Sequence, residues 1–112
     1  MTDDLTERER RIGLNEALFR EVNERLRALG DEFGLESLDL ICECGNAECA
    51  ERIAMTYSEY EQLRADPTLF AVVPGHEISD VEDVVVARGG YEIVRKHEGG
   101  EAELAARTDP RS

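Results

Sequence analysis

The residues with the clearest chemical potential are three cysteines within eight positions, in the segment from Cys42 to Cys49, which reads CECGNAEC. Their spacing is C-x-C-x4-C, at a turn between two stretches with strand character. Cys42 and Cys44 are two positions apart, so in an extended chain their side chains point to the same face. Gly45 allows the loop to bend and to return Cys49. Three thiolates form a soft donor set that suits zinc, and a tetrahedral structural site needs a fourth ligand.

The fourth ligand has several candidates. His76 is the preferred one, because it follows a short buried strand and the bend Pro74-Gly75, so it can lie beside a neighbouring strand turn. The alternatives are His97, which lies in a charged and glycine-rich stretch, an acid such as Glu43 or Glu48, and a water molecule. The predicted metal site consists of Cys42, Cys44, Cys49 and His76.

Other chemistry is compatible with the cysteines. A [2Fe-2S] cluster is the less favoured cofactor, because the spacing matches no iron-sulfur motif. A redox-active set and plain apolar thiols are further alternatives. A permanent disulfide is disfavoured in a reducing cytoplasm, and the odd number of cysteines leaves one thiol unpaired. Two nearby glutamates and the absence of an adjacent lysine or arginine predict raised thiol pKa values, which argues against a reactive nucleophile.

The elements that must position these residues follow the order helix, hairpin, helix, strands, helix. The predicted strands are Leu38 to Cys42, Arg52 to Met55, Leu69 to Val73, Val84 to Ala87 and Tyr91 to Val94, the last two joined around Gly89-Gly90. The predicted short helices are Ser58 to Ala65, after a capping box of Thr56 and Glu59, and Glu101 to Arg107. This order predicts an α+β fold, with a long N-terminal helix, a small antiparallel or mixed sheet, short helices and a metal-binding hairpin.

The first segment, Thr6 to Leu29, predicts a long helix that begins with a capping box of Thr6 and Glu9 and ends at Gly30. Its predicted apolar face consists of Ile12, Phe19, Val22, Leu26 and Leu29.

Such a helix, about 24 residues long, spans roughly 36 Å, which is more than a domain of this size needs for its own packing. Residues 1–30 are therefore interpreted as one helix with two arrangements left open. Either it packs on the domain's own sheet, or part of it projects or forms a homodimer with Asn15 setting the register. Residues 31–112 are interpreted as a small acidic α+β domain that carries the cysteine-rich hairpin.

Composition limits the class of protein. The chain has 112 residues and a formal net charge of -13, from 26 acidic and 13 basic side chains, which indicates one small acidic domain. No apolar stretch approaches the roughly 20 residues of a membrane-spanning helix, and the charged N-terminus lacks the apolar run of a signal peptide. We therefore expect a cytoplasmic protein without a membrane partner. The acidity argues against a nucleic-acid partner, because that affinity comes from lysine and arginine.

Four segments of the chain are distinctive. They are GLNEALFREVNER at residues 13–25, the CECGNAEC cluster, Thr56 with Glu59-Tyr60, and VPGHE at residues 73–77. Together they resemble a family of small, largely uncharacterised actinobacterial proteins. The resemblance implies an actinobacterial source and a family in which the C-x-C-x4-C cluster and the downstream PGHE segment occur together. It implies no activity.

The sequence leans away from an enzyme. It contains no phosphate-binding glycine loop, no G-x-S-x-G and no H-E-x-x-H, and a site with three thiolates is usually closed and structural. We interpret the chain as a non-catalytic zinc-stabilised domain, a regulatory or protein-interaction module whose partner binds its N-terminal helix or its acidic face. One alternative is a metal- or redox-responsive sensor that uses the cysteine cluster through zinc release or a [2Fe-2S] centre. A minor alternative is a metal hydrolase with an open site that depends on His76.

Overall fold

Three helices and five strands form two small antiparallel sheets in a computed structural model that describes residues 5–111. The elements are α1 (Glu7–Glu32), β1 (Leu38–Ile41), β2 (Arg52–Met55), α2 (Tyr57–Arg64), β3 (Leu69–Val72), β4 (Glu82–Ala87), β5 (Glu92–Lys96) and α3 (Gly100–Arg107). The predicted α+β class is confirmed. Each predicted strand and helix has a counterpart, with bounds that differ by a few residues.

The two sheets meet at the cysteine loop. β1 pairs with β2, and the second sheet has the strand order β3-β5-β4. Directly after β1, the Glu43 amide donates a hydrogen bond to the Ala71 carbonyl of β3 at 2.8 Å. The residue between Cys42 and Cys44 therefore connects one sheet to the other. Apolar side chains of both sheets share one buried core, whose members include Leu40, Ile53, Tyr60, Phe70 and Val94.

Helix α1 begins as predicted and ends later. Thr6 is the N-cap, and its side chain and that of Glu9 form the reciprocal bonds of a capping box. The predicted end at Gly30 is wrong. The helix continues to Glu32, and its C-terminus is a Schellman motif in which Gly34, at φ 69°, donates to Asp31 while Leu35 donates to Gly30.

Gly30 is needed inside the helix rather than at its end. A Cβ atom at this position would lie 2.6 Å from the Tyr57 hydroxyl and 3.0 Å from a Leu38 methyl carbon. The missing side chain therefore allows α1 to approach both β1 and the start of α2 closely, and packing overrides the low helix propensity of glycine.

The predicted apolar face of α1 is wrong in two of its five members, whereas Ile12 is buried and Leu26 packs against the core. The buried residues of the helix are Ile12, Glu16, Arg20, Asn23 and Gly30, whereas Val22 and Leu29 are exposed. A hydrophobicity pattern cannot identify such a face, because three of its five residues are polar or charged and are buried beside polar partners on other elements. The long helix thus packs against β1 and α3 through polar groups.

Arg20 shows how a charge is accommodated there. Its guanidinium donates to the carbonyls of Pro67 and Ala105 at 2.8 and 2.9 Å and to the Thr108 hydroxyl at 2.9 Å. It also lies 4.8 Å from the centre of the Phe70 ring. One side chain therefore connects α1 with α3 and with the turn before β3, and this explains why an arginine occupies a core position.

A second buried cluster contains two carboxylates and one ammonium group. Lys96 Nζ lies 2.8 Å from Glu16 Oε1 and 3.0 Å from Glu82 Oε1, and all three side chains are buried. One cation cannot neutralise two anions, so the cluster with both acids ionised holds an uncompensated negative charge. Burial, which outweighs the attraction of Lys96, raises the pKa of the Glu16 carboxyl well above its ordinary value.

This raised pKa makes a pH-dependent contribution to stability. The folded chain retains the Glu16 proton at pH values where the unfolded chain releases it, so this group destabilises the fold as the pH rises above the ordinary glutamate pKa. We expect Glu16→Gln to remove this contribution. The free energy of unfolding of Glu16→Gln relative to the parent should therefore increase between about pH 4 and 7.

Urea unfolding at several pH values measures this difference. The control is Glu21→Gln, an exposed position of the same helix, which should change the free energy of unfolding by less than about 0.5 kcal/mol. A difference between Glu16→Gln and the parent that stays constant across this pH range would contradict the assignment.

Candidate metal centre

The structure brings all four predicted ligands together. Cys42 lies directly after β1, Cys44 and Cys49 lie in the loop between β1 and β2, and His76 follows β3. Their sulfur and nitrogen ligand atoms all lie within 4.8 Å of one another. Two elements distant in sequence thus converge on one point, close enough to hold a metal ion.

The distances within this group match a tetrahedral zinc site on two of its edges. His76 Nδ1 lies 3.6 Å from Cys42 Sγ and 3.6 Å from Cys49 Sγ. Zinc bonds of about 2.3 Å to sulfur and about 2.0–2.1 Å to nitrogen, at tetrahedral angles, separate a sulfur from a nitrogen ligand by about 3.5 Å. The histidine is therefore already at the spacing that a shared metal requires.

The cysteine loop is held by its own polar groups. Asn46 accepts hydrogen bonds from the amides of Glu48 and Cys49, through its side-chain and main-chain oxygens, which closes the turn that returns Cys49. Asn15 of α1 donates to the Gly45 carbonyl at 2.9 Å. Asn15 thus fastens the loop to the helix within the same chain, and the helix-pairing role predicted for it stays a prediction.

Gly45 is required by the same contact between loop and helix. A Cβ atom here would lie 2.5 Å from an Ile12 methyl carbon and 3.0 Å from an Ile78 methyl carbon. The glycine therefore lets the cysteine loop lie directly on α1. This close approach is a second reason for a glycine here, besides the predicted bend of the loop.

Glu43 fixes the direction of the first two cysteines. Its carboxylate accepts two hydrogen bonds from the Arg64 guanidinium, at 2.7 and 2.9 Å, one from the Ala71 amide at 3.0 Å and one from Asn23 at 2.6 Å. Both side chains of the Arg64 pair are buried. With Glu43 bound to α1, α2 and β3, the flanking thiols are left to converge on His76.

His76 is placed by a tight turn after β3. Its amide donates to the Val73 carbonyl at 2.9 Å, and Gly75 adopts φ 90°, a conformation that side chains rarely accept. The Val73 amide in turn donates to Cys42 Sγ at 3.2 Å. An N–H donor to the sulfur stabilises a thiolate ligand. The segment that follows β3 therefore supplies both the ligand His76 and a hydrogen bond to the ligand Cys42.

The thiols perturb one another. The hydrogen bond from Cys42 lowers the pKa of the Cys44 thiol to about 5, with help from the Asn46 amide. The same bond to Cys44, together with burial, raises the pKa of Cys42, and burial raises that of Cys49. The expectation that all three pKa values rise is therefore wrong for Cys44, because its hydrogen bonds outweigh its burial.

The alternative ligands lie elsewhere. The Glu43 carboxylate is paired with the Arg64 guanidinium, and Glu48 is exposed. His97 Nε2 lies 3.3 Å from an Asp83 carboxylate oxygen, and the metal-ligand group formed by the described residues does not include it. Among the candidates, His76 is the histidine that the fold brings to the cysteines. Sequence reasoning missed the anchoring role of Glu43, although its position between two cysteines was visible.

Comparisons with known protein families, with curated proteins and with solved structures find no match for this chain. Within residues 5–111, the helices lack the combination of length and apolar character needed to cross a membrane. The function is therefore inferred from the chemistry of the four converging ligands.

Loss of Glu43 should weaken the fold far more than loss of an exposed acid. We expect Glu43→Ala to lower the free energy of unfolding by about 3–5 kcal/mol, because it leaves the Arg64 guanidinium buried without its carboxylate. The matched control is Asp39→Ala on β1, which breaks an exposed pair with Arg52 and should cost less than about 1 kcal/mol. Chemical unfolding of both variants checks this, and equal losses would contradict the anchoring role.

Proposed function

We propose that this chain is a non-catalytic domain stabilised by a zinc ion bound to Cys42, Cys44, Cys49 and His76, and that it acts as a regulatory or protein-interaction module. The observation that carries the proposal is the convergence of the four ligand atoms within 4.8 Å, with two of the sulfur-to-nitrogen distances at 3.6 Å. These residues fit zinc in number and in chemistry, and those two distances match its spacing.

The donor set favours zinc over harder cations. Thiolate sulfur is a soft ligand and imidazole nitrogen an intermediate one, whereas magnesium and calcium prefer oxygen. Cys42 and Cys44 are buried, and the acids nearest to them in sequence are bound to Arg64 or exposed. Three sulfurs and one nitrogen therefore make up the whole coordination sphere.

A filled coordination sphere favours a structural role. Catalytic zinc sites keep three protein ligands and leave the fourth position to water or substrate, whereas structural sites use four protein ligands. Binding by all four side chains would fill a tetrahedral site and leave no position for an activated water. This is why we do not propose the open-site hydrolase.

The location of the site explains what the metal does for the fold. Two ligands belong to the loop between β1 and β2, one follows β1 directly and one follows β3, so the ion joins the two sheets. Because unfolded chains rarely hold a preformed site, the free energy of metal binding contributes to folding. A small chain with six aromatic residues and no tryptophan has a limited core, and it gains much from such a link.

Elemental analysis and thermal unfolding test the proposal. We expect about one zinc per chain in the parent. His76→Ala should hold much less zinc after dialysis, and it should melt about 10 °C or more below the zinc-loaded parent, because a few kcal/mol of stabilisation are lost. The matched control is His97→Ala, which removes a histidine outside the site and should keep both its zinc and its melting temperature.

Two results would overturn the proposal. One is a parent protein that takes up no zinc during refolding with the metal and melts at the same temperature with or without it. The other is an equal loss of zinc from His76→Ala and His97→Ala. Iron together with visible absorbance would instead assign an iron-sulfur centre to the same cysteines.

One observation favours a second candidate, a metal- or redox-responsive sensor. Cys49 and His76 are only half-buried, and an open cleft lined by Cys44, Asn46, His76 and Ile78 leads to the ligands. A small oxidant can therefore reach the site. For a sensor, we expect dilute hydrogen peroxide to release zinc and a thiol reductant with added zinc to restore it. Retention of zinc under peroxide would exclude this role and leave the structural one.

A further inference from the structure

An apolar stripe runs along the outer face of α1, away from the residues that pack into the core. This outer stripe consists of Leu14, Leu18, Val22, Leu29 and Phe33, the residue that caps the helix. The exposed fraction of these side chains ranges from 36% for Val22 to 73% for Phe33. From first to last residue the stripe is roughly 28 Å long. An exposed apolar strip of this extent marks an interaction surface.

The spacing of the outer stripe suits a partner helix. Its members follow one another at intervals of four, four, seven and four residues, with Arg25 in the intervening position. This pattern is close to an 11-residue repeat, whose 3.67 residues per turn nearly equal the helix's own 3.6. The stripe therefore runs almost straight along α1, and a second straight helix can stay in contact with it over its whole length.

Opposite charges lie at the two ends of the outer stripe. Arg10 and Arg11 precede its first leucine and follow the first-turn acids Glu7 and Glu9, and Asp31 and Glu32 lie at the last turn of the helix. Acids at a helix C-terminus are unfavourable toward the helix dipole. Within residues 5–111, neither Arg11 nor Glu32 has an ion-pair partner. An antiparallel helix would bring arginines to the acidic end and acids to the basic end.

The distribution of charge over the chain favours a second copy of the same protein. Residues 1–30 hold seven acids and six arginines, whereas residues 31–112 hold 19 acids and seven bases. Two copies of a chain with a net charge of -13 repel each other least where their nearly neutral helices meet. A basic partner protein would be drawn to residues 31–112 instead.

We propose that the outer stripe of α1 pairs with the outer stripe of a second copy in an antiparallel, two-fold symmetric dimer. With the symmetry axis between Glu21 and Val22, Leu14 faces Leu29 of the second copy and Arg11 faces Glu32, and symmetry makes each contact occur twice. The inference names the partner for the interaction role proposed above and rests on that role, but it uses none of the metal ligands.

Strand β4 is the competing surface. It is an edge strand with three exposed valines, Val84, Val85 and Val86. Its pairing with β5 shifts register between Val84 and Val86, which is the signature of a β-bulge. Bulges disrupt edge-to-edge pairing of sheets, so this edge is protected against strand addition. A substitution at Val85 therefore serves as the matched control for the helix.

Sedimentation equilibrium of the full zinc-loaded chain tests the dimer. We expect a two-chain mass at micromolar concentrations, a one-chain mass for Leu14→Glu and for Leu29→Glu, whose leucines face each other in this register, and an unchanged two-chain mass for Val85→Glu. Circular dichroism should show that each variant keeps its helix content. A one-chain mass for the parent at several hundred micromolar would overturn the inference. Dissociation by Val85→Glu but not by Leu14→Glu would also overturn it.

Charge reversal tests the antiparallel arrangement. Arg11→Glu should weaken dimerisation at least tenfold at low salt, and addition of Glu32→Arg to the same chain should restore it, because the two positions face each other across the dimer. Failure of the double variant to recover would overturn the proposed register. Zinc content measured on the same samples separates the two proposals, since a metal-free chain with a two-chain mass would contradict the zinc site alone.

Discussion

The carboxylate of Glu43 is the interaction on which the rest of the structure depends. The carboxylate accepts hydrogen bonds from α1, α2 and β3, and the main-chain amide of Glu43 donates to the Ala71 carbonyl of β3. Three elements and both sheets are therefore positioned relative to a single buried residue. A carboxylate without exposure to water is costly unless its lone pairs are satisfied, and here Arg64, Asn23 and the Ala71 amide satisfy them. These bonds therefore also fix the positions of the two flanking cysteines, Cys42 and Cys44.

The buried polar groups define one arrangement but add little net stability. Breaking a buried ion pair is expensive, yet the intact pair gains little over apolar packing, because both charges lose their hydration. This chain buries several such groups, among them Glu16, Arg20, Glu43 and Lys96. A core built in this way specifies how α1 is placed on the sheets without making the fold very stable. A bound metal that joins the two sheets would therefore have a large effect.

Much of the fold could be predicted because its local signals agree with its tertiary packing. The two capping boxes, at Thr6 and Thr56, begin helices where the sequence places them, and the strand segments alternate or end at turn residues. The metal group was recognisable because three cysteines lie together in the sequence. The choice of His76 depended on the Pro74-Gly75 bend, and the turn that follows β3 does direct this histidine toward the cysteines.

The face of α1 could not be predicted, and the reason is physical. Hydrophobic periodicity identifies the buried side of a helix only when burial is apolar. In α1, Arg20 and Asn23 are buried because acceptors and donors from other elements meet them, and those partners are distant in sequence. Val22 and Leu29, which the pattern places on the apolar face, are instead exposed. Because polar side chains occupy much of the buried face, apolar side chains such as Leu14 and Leu18 lie on the exposed face.

The distribution of charge along the chain helps to explain both the buried polar face of α1 and its exposed outer stripe. Residues 31–112 carry most of the negative charge, which keeps copies of the chain apart in solution. The first helix is nearly neutral, and it turns polar residues inward and apolar residues outward. Leucine side chains that stay exposed on the outer face of α1 are unfavourable in water. The polar groups buried on the opposite face do not compensate for this exposure. Both features have a use if a second helix covers the outer stripe, because its apolar surface is then removed from water and the charges at its ends meet their opposites.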